Sequence, residues 1–305
     1  MNKKINVDVC VPTFRRPKQL MLLLQSLMKQ HGLDNVLLRV IIVDNDVDKS
    51  AYDLVEMMKG HLPFPILYDI EPKRGISYAR NRLLKLVKAE YLAFIDDDEF
   101  VDQVWLSSLL SAMQDYDADV IFGPVISILP DNAPHWAKIH GCFNRPNKST
   151  GQRMWTGGGG NVLVKKTALG EPRLLFNPDF AFTGGEDTEF FYKLHQIGKT
   201  MIWCDEAIVY ENVEPNRLKT KWVYNRAFRG GQCYVRIRAS VDSRFKKIIR
   251  IANNLTRLFS GFILLPFVYM ISYSQYVRLR SWIYSTIGQL TAHLGSTRFY
   301  QEYTD

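Results

Sequence analysis

Apolar positions in the first half of the chain alternate between two spacings, one typical of strands and one typical of helices. Short apolar runs such as Val7–Val11 and Tyr91–Ile95 predict buried strands. Between two such runs, apolar residues recur three or four positions apart, as in Leu20, Leu23 and Leu27, which predicts an amphipathic helix. Strands separated by single helices predict an α/β fold, Rossmann-like, with a mostly parallel sheet and right-handed crossovers.

The same criteria place the remaining elements. Further strands are predicted at residues 39–43, 66–70, 161–164, 201–203 and 208–210, with an extended stretch at 120–129. Further helices are predicted at residues 50–59, 76–87, 105–113, 186–197 and 218–228, the last one interrupted by Gly230 and Gly231. Residues 130–155 contain Pro and Asn without a regular apolar spacing, which favours a loop.

Polar residues follow three of the predicted strands directly. Thr13, Asp44 and the run Asp96–Asp98 each stand at the carboxyl end of a strand. In open parallel sheets the ligand crevice lies at these carboxyl ends. We therefore expect these side chains to converge on one cleft.

The acidic run Asp96-Asp97-Asp98-Glu99 is the strongest chemical signal. Several carboxylates placed together after a buried strand need a positive partner. Mg²⁺ or Mn²⁺ prefers such oxygen ligands and commonly bridges to a diphosphate. The alternative is a solvated acidic turn that caps a helix.

A second signal is Gly184-Gly185-Glu186-Asp187 at the start of a predicted helix. A carboxylate there either caps the helix, which the helix dipole favours, or acts as a general base near the cleft. Gly157–Gly160 is either a loop that allows close approach of a sugar or a flexible turn. Trp136 and Trp155 either stack on acceptor sugars or pack inside the protein.

The formal net charge of +8 is unevenly distributed. Residues 1–215 hold 24 Lys and Arg against 28 Asp and Glu, whereas residues 216–305 hold 15 against 3. This split argues against a uniformly basic nucleic-acid coat protein. Four widely spaced cysteines have no zinc-site spacing and predict a reducing compartment, and no signal peptide is predicted at the N-terminus.

The basic end of the chain contains sixteen uncharged residues, 258–273. As a helix they would extend about 24 Å, short of the roughly 30 Å hydrocarbon core of a bilayer. Pro266 lies near their middle, and Lys and Arg flank them on both sides. This pattern favours a segment that rests in one leaflet. The alternatives are a helix packed on the catalytic domain and a dimer interface.

Taken in order, several short motifs resemble those of the family 2 glycosyltransferases, which have the GT-A fold. The motifs are Val9-Cys10-Val11-Pro12-Thr13-Phe14-Arg15-Arg16, Val43-Asp44-Asn45, Gly75-Ile76-Ser77-Tyr78-Ala79-Arg80-Asn81, Phe94-Ile95-Asp96-Asp97-Asp98 and Gly184-Gly185-Glu186-Asp187. The resemblance covers about residues 5–235. The stretch from Val209 to Gln232 also resembles the bacterial enzymes that build exopolysaccharides, including succinoglycan-type glucosyltransferases.

The resemblance implies a role for each matching residue. Those implied to bind the donor nucleotide sugar are Pro12, Thr13, Arg15, Asp44, Arg80, Asp96 and Asp97. Those implied to hold Mg²⁺ or Mn²⁺ are Asp98, Asp96 and Glu211. Asp187 is implied to be the catalytic base, with Glu186 beside it.

Glu211 departs from the family pattern, because many relatives carry His at this position. A carboxylate there either ligates the metal or pairs with Arg226 or Arg229.

The resemblance implies an inverting, metal-dependent hexosyltransferase. The cysteines, the N-terminus and the basic tail lead us to expect it at the cytoplasmic face of the bacterial inner membrane, peripheral or monotopic. It would move a hexose such as glucose from a UDP-sugar to a polyprenyl-diphosphate-linked saccharide. Residues 1–215 would form the GT-A catalytic domain, and residues 216–305 a basic, hydrophobic helical region bound to the membrane surface. One alternative is a non-catalytic nucleotide-sugar or saccharide-binding protein. We expect no nucleic-acid partner, so a protein that binds nucleic acid through its basic tail is a second, disfavoured alternative. A nucleotidyltransferase is disfavoured because no Gly-rich, basic phosphate loop is found near the N-terminus.

Overall fold

The computed structural model describes residues 4–143, 148–238 and 242–295. Its strands are β1 Ile5–Thr13, β2 Val36–Asp44, β3 Ile66–Ile70, β4 Tyr91–Ile95, β5 Glu99–Val101, β6 Val120–Phe122, β7 Val125–Ile128, β8 Asn161–Lys165, β9 Met201–Trp203 and β10 Val209–Asn212. Its α-helices are α1 Pro17–Leu27, α2 Tyr52–Lys59, α3 Ile76–Leu86, α4 Trp105–Asp115, α5 His135–Ile139, α6 Glu186–Gln196, α7 Thr220–Arg238, α8 Arg244–Ile271 and α9 Tyr273–His293.

The chain divides into two compact units. The first comprises residues 1–126, 146–182 and 186–211, and the second comprises residues 127–145, 183–185 and 212–305. The second unit therefore includes two short segments from the middle of the chain as well as its C-terminal part. The domain boundary expected between residues 215 and 216 stays a prediction.

The first unit is built on a seven-stranded sheet of order β3-β2-β1-β4-β8-β6-β9. Neighbouring strands pair in parallel except at β8, which runs antiparallel to both β4 and β6. The expected mostly parallel α/β sheet is confirmed.

Alternation along each strand sends side chains to two apolar layers, one on each face of the sheet. In β1, Val9 and Val11 join the layer that includes residues of α1, α2 and α4. Cys10, between them, joins the layer that includes residues of α3 and α6. Both faces of the sheet are therefore covered, which explains the continuous apolar runs of its strands.

The second unit is helical. Its core contains Trp136 from α5, Tyr224 from α7 and Val277 from α9. The short helix α5 falls in the region where a loop was predicted, and that part of the prediction is wrong. Trp136 is 6% exposed, so it belongs to this core.

Two further predictions for the C-terminal region are wrong. Helix α7 continues through Gly230 and Gly231 to Arg238. Helix α8 has 28 residues, Arg244–Ile271, so residues 258–271 of the uncharged segment form the second half of a longer helix, and Tyr273 begins α9. At 1.5 Å per residue α8 extends about 42 Å.

Candidate active site

The carboxyl ends of β1, β2 and β4 lie side by side in the sheet. Thr13 pairs with Asp44 in the parallel register of β1 and β2, and β1 also pairs with β4. The Thr13 hydroxyl donates to an Asp97 carboxylate oxygen at 2.8 Å. The convergence expected from the sequence is therefore present for Thr13 and the acidic run.

Asp44 lies at this edge but is completely buried. One of its oxygens accepts hydrogen bonds from the Ala51 backbone N–H at 2.8 Å and from the Tyr68 hydroxyl at 2.9 Å, and the other from the Asp46 N–H at 3.1 Å. Burial raises the pKa of Asp44, although these donors oppose the shift. A direct contact between Asp44 and a nucleotide would have to displace one of these donors, and its donor-binding role stays a prediction.

Pro12 and Arg15, two further residues expected to bind the donor, differ in exposure. Pro12 is buried within β1. Arg15 follows β1 with a positive φ of 53° and keeps half of its side chain exposed. Its Nε donates to Asp46 at 2.9 Å, and the Arg15 and Arg74 guanidinium groups lie 5.1 and 4.6 Å from the centroid of the Phe14 ring. The half-buried Phe14 ring and the cations at this strand end can contact a base and a phosphate.

Arg16 lies against the acidic run. Its Nη1 donates to Asp97 at 3.4 Å and to Asp98 at 3.0 Å. Burial and the charge of Asp98 raise the pKa of Asp97 to about 7, while Arg16 has the opposite effect. The sequence interpretation assigned no role to Arg16, although its position within the first motif was the available signal.

Arg80 and Glu186 form a buried ion pair. The Arg80 Nη1 donates to Glu186 Oε1 at 2.7 Å, and its Nη2 donates to Asp96 Oδ1 at 3.0 Å. Burial and the nearby Asp187 raise the pKa of Glu186 to about 7, and Arg80 opposes this shift. Glu186 therefore anchors the Arg80 guanidinium, which brings the start of α6 to the end of β4.

Asp187 is half-buried at the first turn of α6. Its Oδ1 accepts from the Thr188 backbone N–H at 2.6 Å and from the Thr188 hydroxyl at 3.2 Å. Its Oδ2 accepts from the Gly159 N–H at 3.1 Å. One oxygen of Asp187 thus accepts from an N–H group of the first helical turn, while the other accepts from the glycine loop.

Residues 157–160 form a close-approach loop. A Cβ added at Gly159 would lie 2.6 Å from Arg80 Nη1, and one added at Gly160 would lie 2.4 Å from Glu99 Oε1. Glycine is required here because the backbone passes directly over these side chains. The close approach found here is to protein side chains, and the expected approach of a sugar to this loop stays a prediction.

Glu211 pairs with Glu99 in the antiparallel register of β10 and β5. Within the described residues, no group of three or more His, Cys, Asp or Glu side chains is arranged to hold a metal ion. The expected set of Asp96, Asp98 and Glu211 is thus not preassembled as a three-ligand site. The physical reason is that Arg80 already bonds Asp96 and Arg16 already bonds Asp98.

Two carboxylates nevertheless suffice for Mg²⁺ when substrate phosphates and water supply the other ligands. Seven carboxylates belong to the acidic run and the first turn of α6. Arg16 and Arg80 bond four of them, and Lys193 bonds a fifth, Glu189. Asp96 keeps 38% of its side chain exposed. This surplus of negative charge at an accessible carboxylate fits a divalent cation.

Trp155 differs from Trp136 in its exposure. Half of Trp155 is exposed, and its ring meets Tyr192 edge-on at 6.1 Å. Trp155 is available to stack on a sugar, whereas Trp136 serves the core of the second unit.

A doubly covered, mostly parallel sheet with carboxylates and arginines at its carboxyl edge defines a doubly wound α/β protein, the class in which ligands bind at that edge. Solved structures agree: the chain superposes on S. aureus TarS 1–349 in complex with UDP with a TM-score of 0.56 and 16% identity, over 96% of this chain and 92% of that one. It covers 55% of a longer TarS chain. GalNAc-T7 with UDP, GalNAc and Mn²⁺ also matches with a TM-score of 0.56 and 15% identity, over 75% of this chain and 48% of that one. The fold is therefore GT-A.

The sequence comparisons identify the family. The family model for glycosyl transferase family 2 matches residues 8–171, and that for glycosyl transferase family group 2 matches residues 91–294. The succinoglycan biosynthesis protein ExoM of Rhizobium meliloti (strain 1021) is 37% identical over 240 residues, 78% of this chain and 77% of that protein. A glucosyl-dolichyl phosphate glucuronosyltransferase of Haloferax volcanii is 23% identical over 252 residues, 75% of each chain. The chain belongs to glycosyl transferase family 2.

Proposed function

We propose that this protein transfers a hexose such as glucose from a UDP-sugar to a lipid-linked saccharide, with inversion, during synthesis of a cell-surface polysaccharide. The similarity to a succinoglycan biosynthesis protein supports the pathway class. The similarity to TarS structures that contain UDP and UDP-GlcNAc supports the donor class. One set of contacts carries the proposal. Asp187 accepts a hydrogen bond from the Gly159 N–H, and the Gly159 backbone passes directly over Arg80. Arg80 in turn bonds Glu186 and Asp96.

Asp187 would act as the base. Its Oδ2 receives one hydrogen bond from a backbone N–H, and the carboxylate is half-buried rather than enclosed. It would remove the proton from the acceptor hydroxyl as that oxygen attacks the anomeric carbon from the side opposite the nucleotide. One displacement of this kind inverts the configuration at that carbon.

Arg80 would orient the donor. Its guanidinium is held on two carboxylates from different elements, so it cannot swing away when the donor enters. A preorganised cation beside the diphosphate stabilises the negative charge that grows on the leaving group. Mg²⁺ or Mn²⁺, held by Asp98 and Asp96, would supply further stabilisation of that charge. Thr13 and Arg16 would hold the carboxylates of the acidic run in place. Glu211 would lie at the edge of the acidic run.

A panel of UDP-sugars tests this proposal. The purified protein, with Mn²⁺ and a lipid-linked acceptor extract, is expected to release UDP and form a glycolipid from at least one UDP-hexose. UDP release without a glycolipid would contradict the acceptor proposal. Binding of a UDP-sugar without turnover under any condition would favour the alternative of a non-catalytic binding protein.

We also propose that this protein attaches to the cytoplasmic face of the inner membrane. Helix α8 supports attachment to a membrane. The helix is long and apolar enough to cross a bilayer by length and composition, and 11% of its most apolar window is buried. Phe259, Phe262 and Phe267 are each more than half exposed. Lys and Arg in its first half would add attraction to anionic lipid.

Charge introduced on this apolar face tests the attachment. The double variant Phe259→Glu, Phe267→Glu is expected to lose co-sedimentation with anionic phospholipid vesicles, because buried carboxylates oppose insertion. Ile197→Glu is the matched control, since Ile197 is also exposed, at 61%, but lies in the first unit. Unchanged sedimentation of the double variant would contradict the proposal.

A further inference from the structure

The turn that leads into α6 has an unusual backbone. Gly184 and Gly185 both have positive φ, 72° and 89°. Glycine adopts positive and negative φ about equally well, so two successive glycines do not by themselves favour this backbone conformation. The conformation of the turn therefore depends on what holds it from outside.

Helix α7 holds it through two side chains one helical turn apart. The Cys233 thiol donates to the Gly184 carbonyl at 2.9 Å, and the Arg236 Nη1 donates to the Thr183 Oγ1 at 2.8 Å. Residues i and i+3 share a helix face, which explains why both reach the same turn. These residues all belong to the second unit.

The two contacts converge on one carbonyl. The Thr183 hydroxyl, fixed by Arg236, donates in turn to the Gly184 carbonyl at 3.3 Å. That carbonyl thus accepts hydrogen bonds from both Thr183 and Cys233. Thr183 and Cys233 are 6% and 8% exposed, so water does not compete freely for these bonds. A double acceptor of this kind fixes the orientation of the peptide plane between Gly184 and Gly185.

We propose that Arg236, Thr183 and Cys233 are positioning residues, which set the direction in which Asp187 enters the active site. Gly185 is two residues from Asp187, so a rotation of this peptide plane moves the carboxylate with the start of α6. The inference rests on the proposed function, because it assumes that Asp187 is the base. It assigns to α7, outside the catalytic sheet, a part in the transfer step.

A positioning role predicts a specific kinetic effect. The turn acts directly on the base and reaches the donor only indirectly, through Glu186 and Arg80, so kcat should fall more than the affinity for UDP-sugar. Misplacement of a catalytic group by about 1 Å can cost roughly a hundredfold in rate. We expect Thr183→Val, which keeps the shape and removes the hydroxyl, to lower kcat by about tenfold to a hundredfold.

Conservative variants separate positioning from packing. Thr183→Ser and Arg236→Lys keep a donor and are expected to restore most of the kcat lost in Thr183→Val and Arg236→Met. Val235→Ala is the matched control, because Val235 is buried on the same helix but makes no side-chain hydrogen bond. It is expected to lower the melting temperature and leave kcat within about twofold of the wild type.

Amide hydrogen exchange of residues 184–188 gives a readout that does not require turnover. Thr183→Val and Arg236→Met are expected to exchange faster there than the wild type, whereas Val235→Ala is not. Equal kcat in Thr183→Val and the wild type, or a loss of kcat in Val235→Ala as large as in Thr183→Val, would overturn the inference. If the wild type itself turns over no UDP-sugar, the proposed function has failed, and this inference fails with it for that separate reason.

Discussion

Substitution of one glycine should disrupt the candidate active site without replacing any of its charged groups. Gly159→Ala would place a methyl group 2.6 Å from Arg80 Nη1 and 2.7 Å from its Cζ. The guanidinium cannot simply move aside, because Glu186 and Asp96 hold it at 2.7 and 3.0 Å. Either one of these ion pairs breaks or the loop shifts.

The expected cost follows from this geometry. Overpacking of a filled interior costs about 1–3 kcal/mol, and a buried ion pair that loses a partner costs about 3–5 kcal/mol. We expect Gly159→Ala to cost about 2 kcal/mol, in the lower range, because the loop can move until the new Cβ lies more than 3.0 Å from the guanidinium. The same shift removes the Gly159 N–H from Asp187 and should lower transfer by at least about tenfold.

Gly158→Ala provides the matched control. A Cβ at Gly158 would lie 3.8 Å from Asp187 Oδ2, which is ordinary van der Waals contact. Melting temperature and UDP release should be measured for both variants beside the wild type. If Gly159→Ala matches Gly158→Ala in both measurements, the close approach of the loop to Arg80 is not important, and the reasoning is refuted.

Three other substitutions test separate parts of the structure. Asp187→Asn is expected to abolish transfer while calorimetry still shows UDP binding; turnover near the wild-type rate would rule out Asp187 as the base. Asp98→Ala is expected to abolish Mn²⁺-stimulated transfer, and full wild-type activity in EDTA would contradict metal dependence. Burial tends to raise the pKa of Asp8, but the hydrogen bond from Arg39 and two backbone N–H groups outweigh it, so the pKa is lowered below 3.8. Asp8→Asn should therefore have a lower melting temperature than the wild type above about pH 4. This difference should vanish as the pH falls through the folded-state pKa of Asp8, because the carboxylate is then protonated. A difference in melting temperature that does not depend on pH would contradict this.

Much of the first unit could be predicted because local patterns and tertiary structure agree there. The run Tyr91–Ile95 is apolar, bounded by polar residues and buried on both faces, so its length and composition point to one structure. The acidic residues that follow it lie where the carboxyl-edge rule for parallel sheets places them. The contact between Arg80 and Glu186 joins residues 106 positions apart, and no local pattern indicates such a distant pairing.

The predicted interruption of α7 at Gly230 and Gly231 is wrong because of tertiary packing. A glycine pair normally weakens a helix by about 1 kcal/mol per residue, which favoured a break at Gly230 and Gly231. In the structure, a Cβ at Gly231 would lie 2.0 Å from the Ser285 carbonyl oxygen of α9, and one at Gly288 would lie 2.0 Å from the Phe228 carbonyl oxygen of α7. The glycines therefore allow the two helix backbones to approach closely. Packing of this kind outweighs the intrinsic helix propensity.

Helix α8 shows how such a correction changes a functional argument. The sequence interpretation compared sixteen uncharged residues with the thickness of a bilayer and found them too short. Because the structure extends the same helix back to Arg244, its length of about 42 Å exceeds the roughly 30 Å hydrocarbon core. Length therefore no longer excludes a spanning orientation, and the position of the charges becomes the deciding feature. Lys246, Lys247, Arg250 and Arg257 all lie in the first half of α8, so only the second half is free of charge. A helix with one basic half and one apolar half is suited to enter a single leaflet obliquely, with its cations at the lipid headgroups.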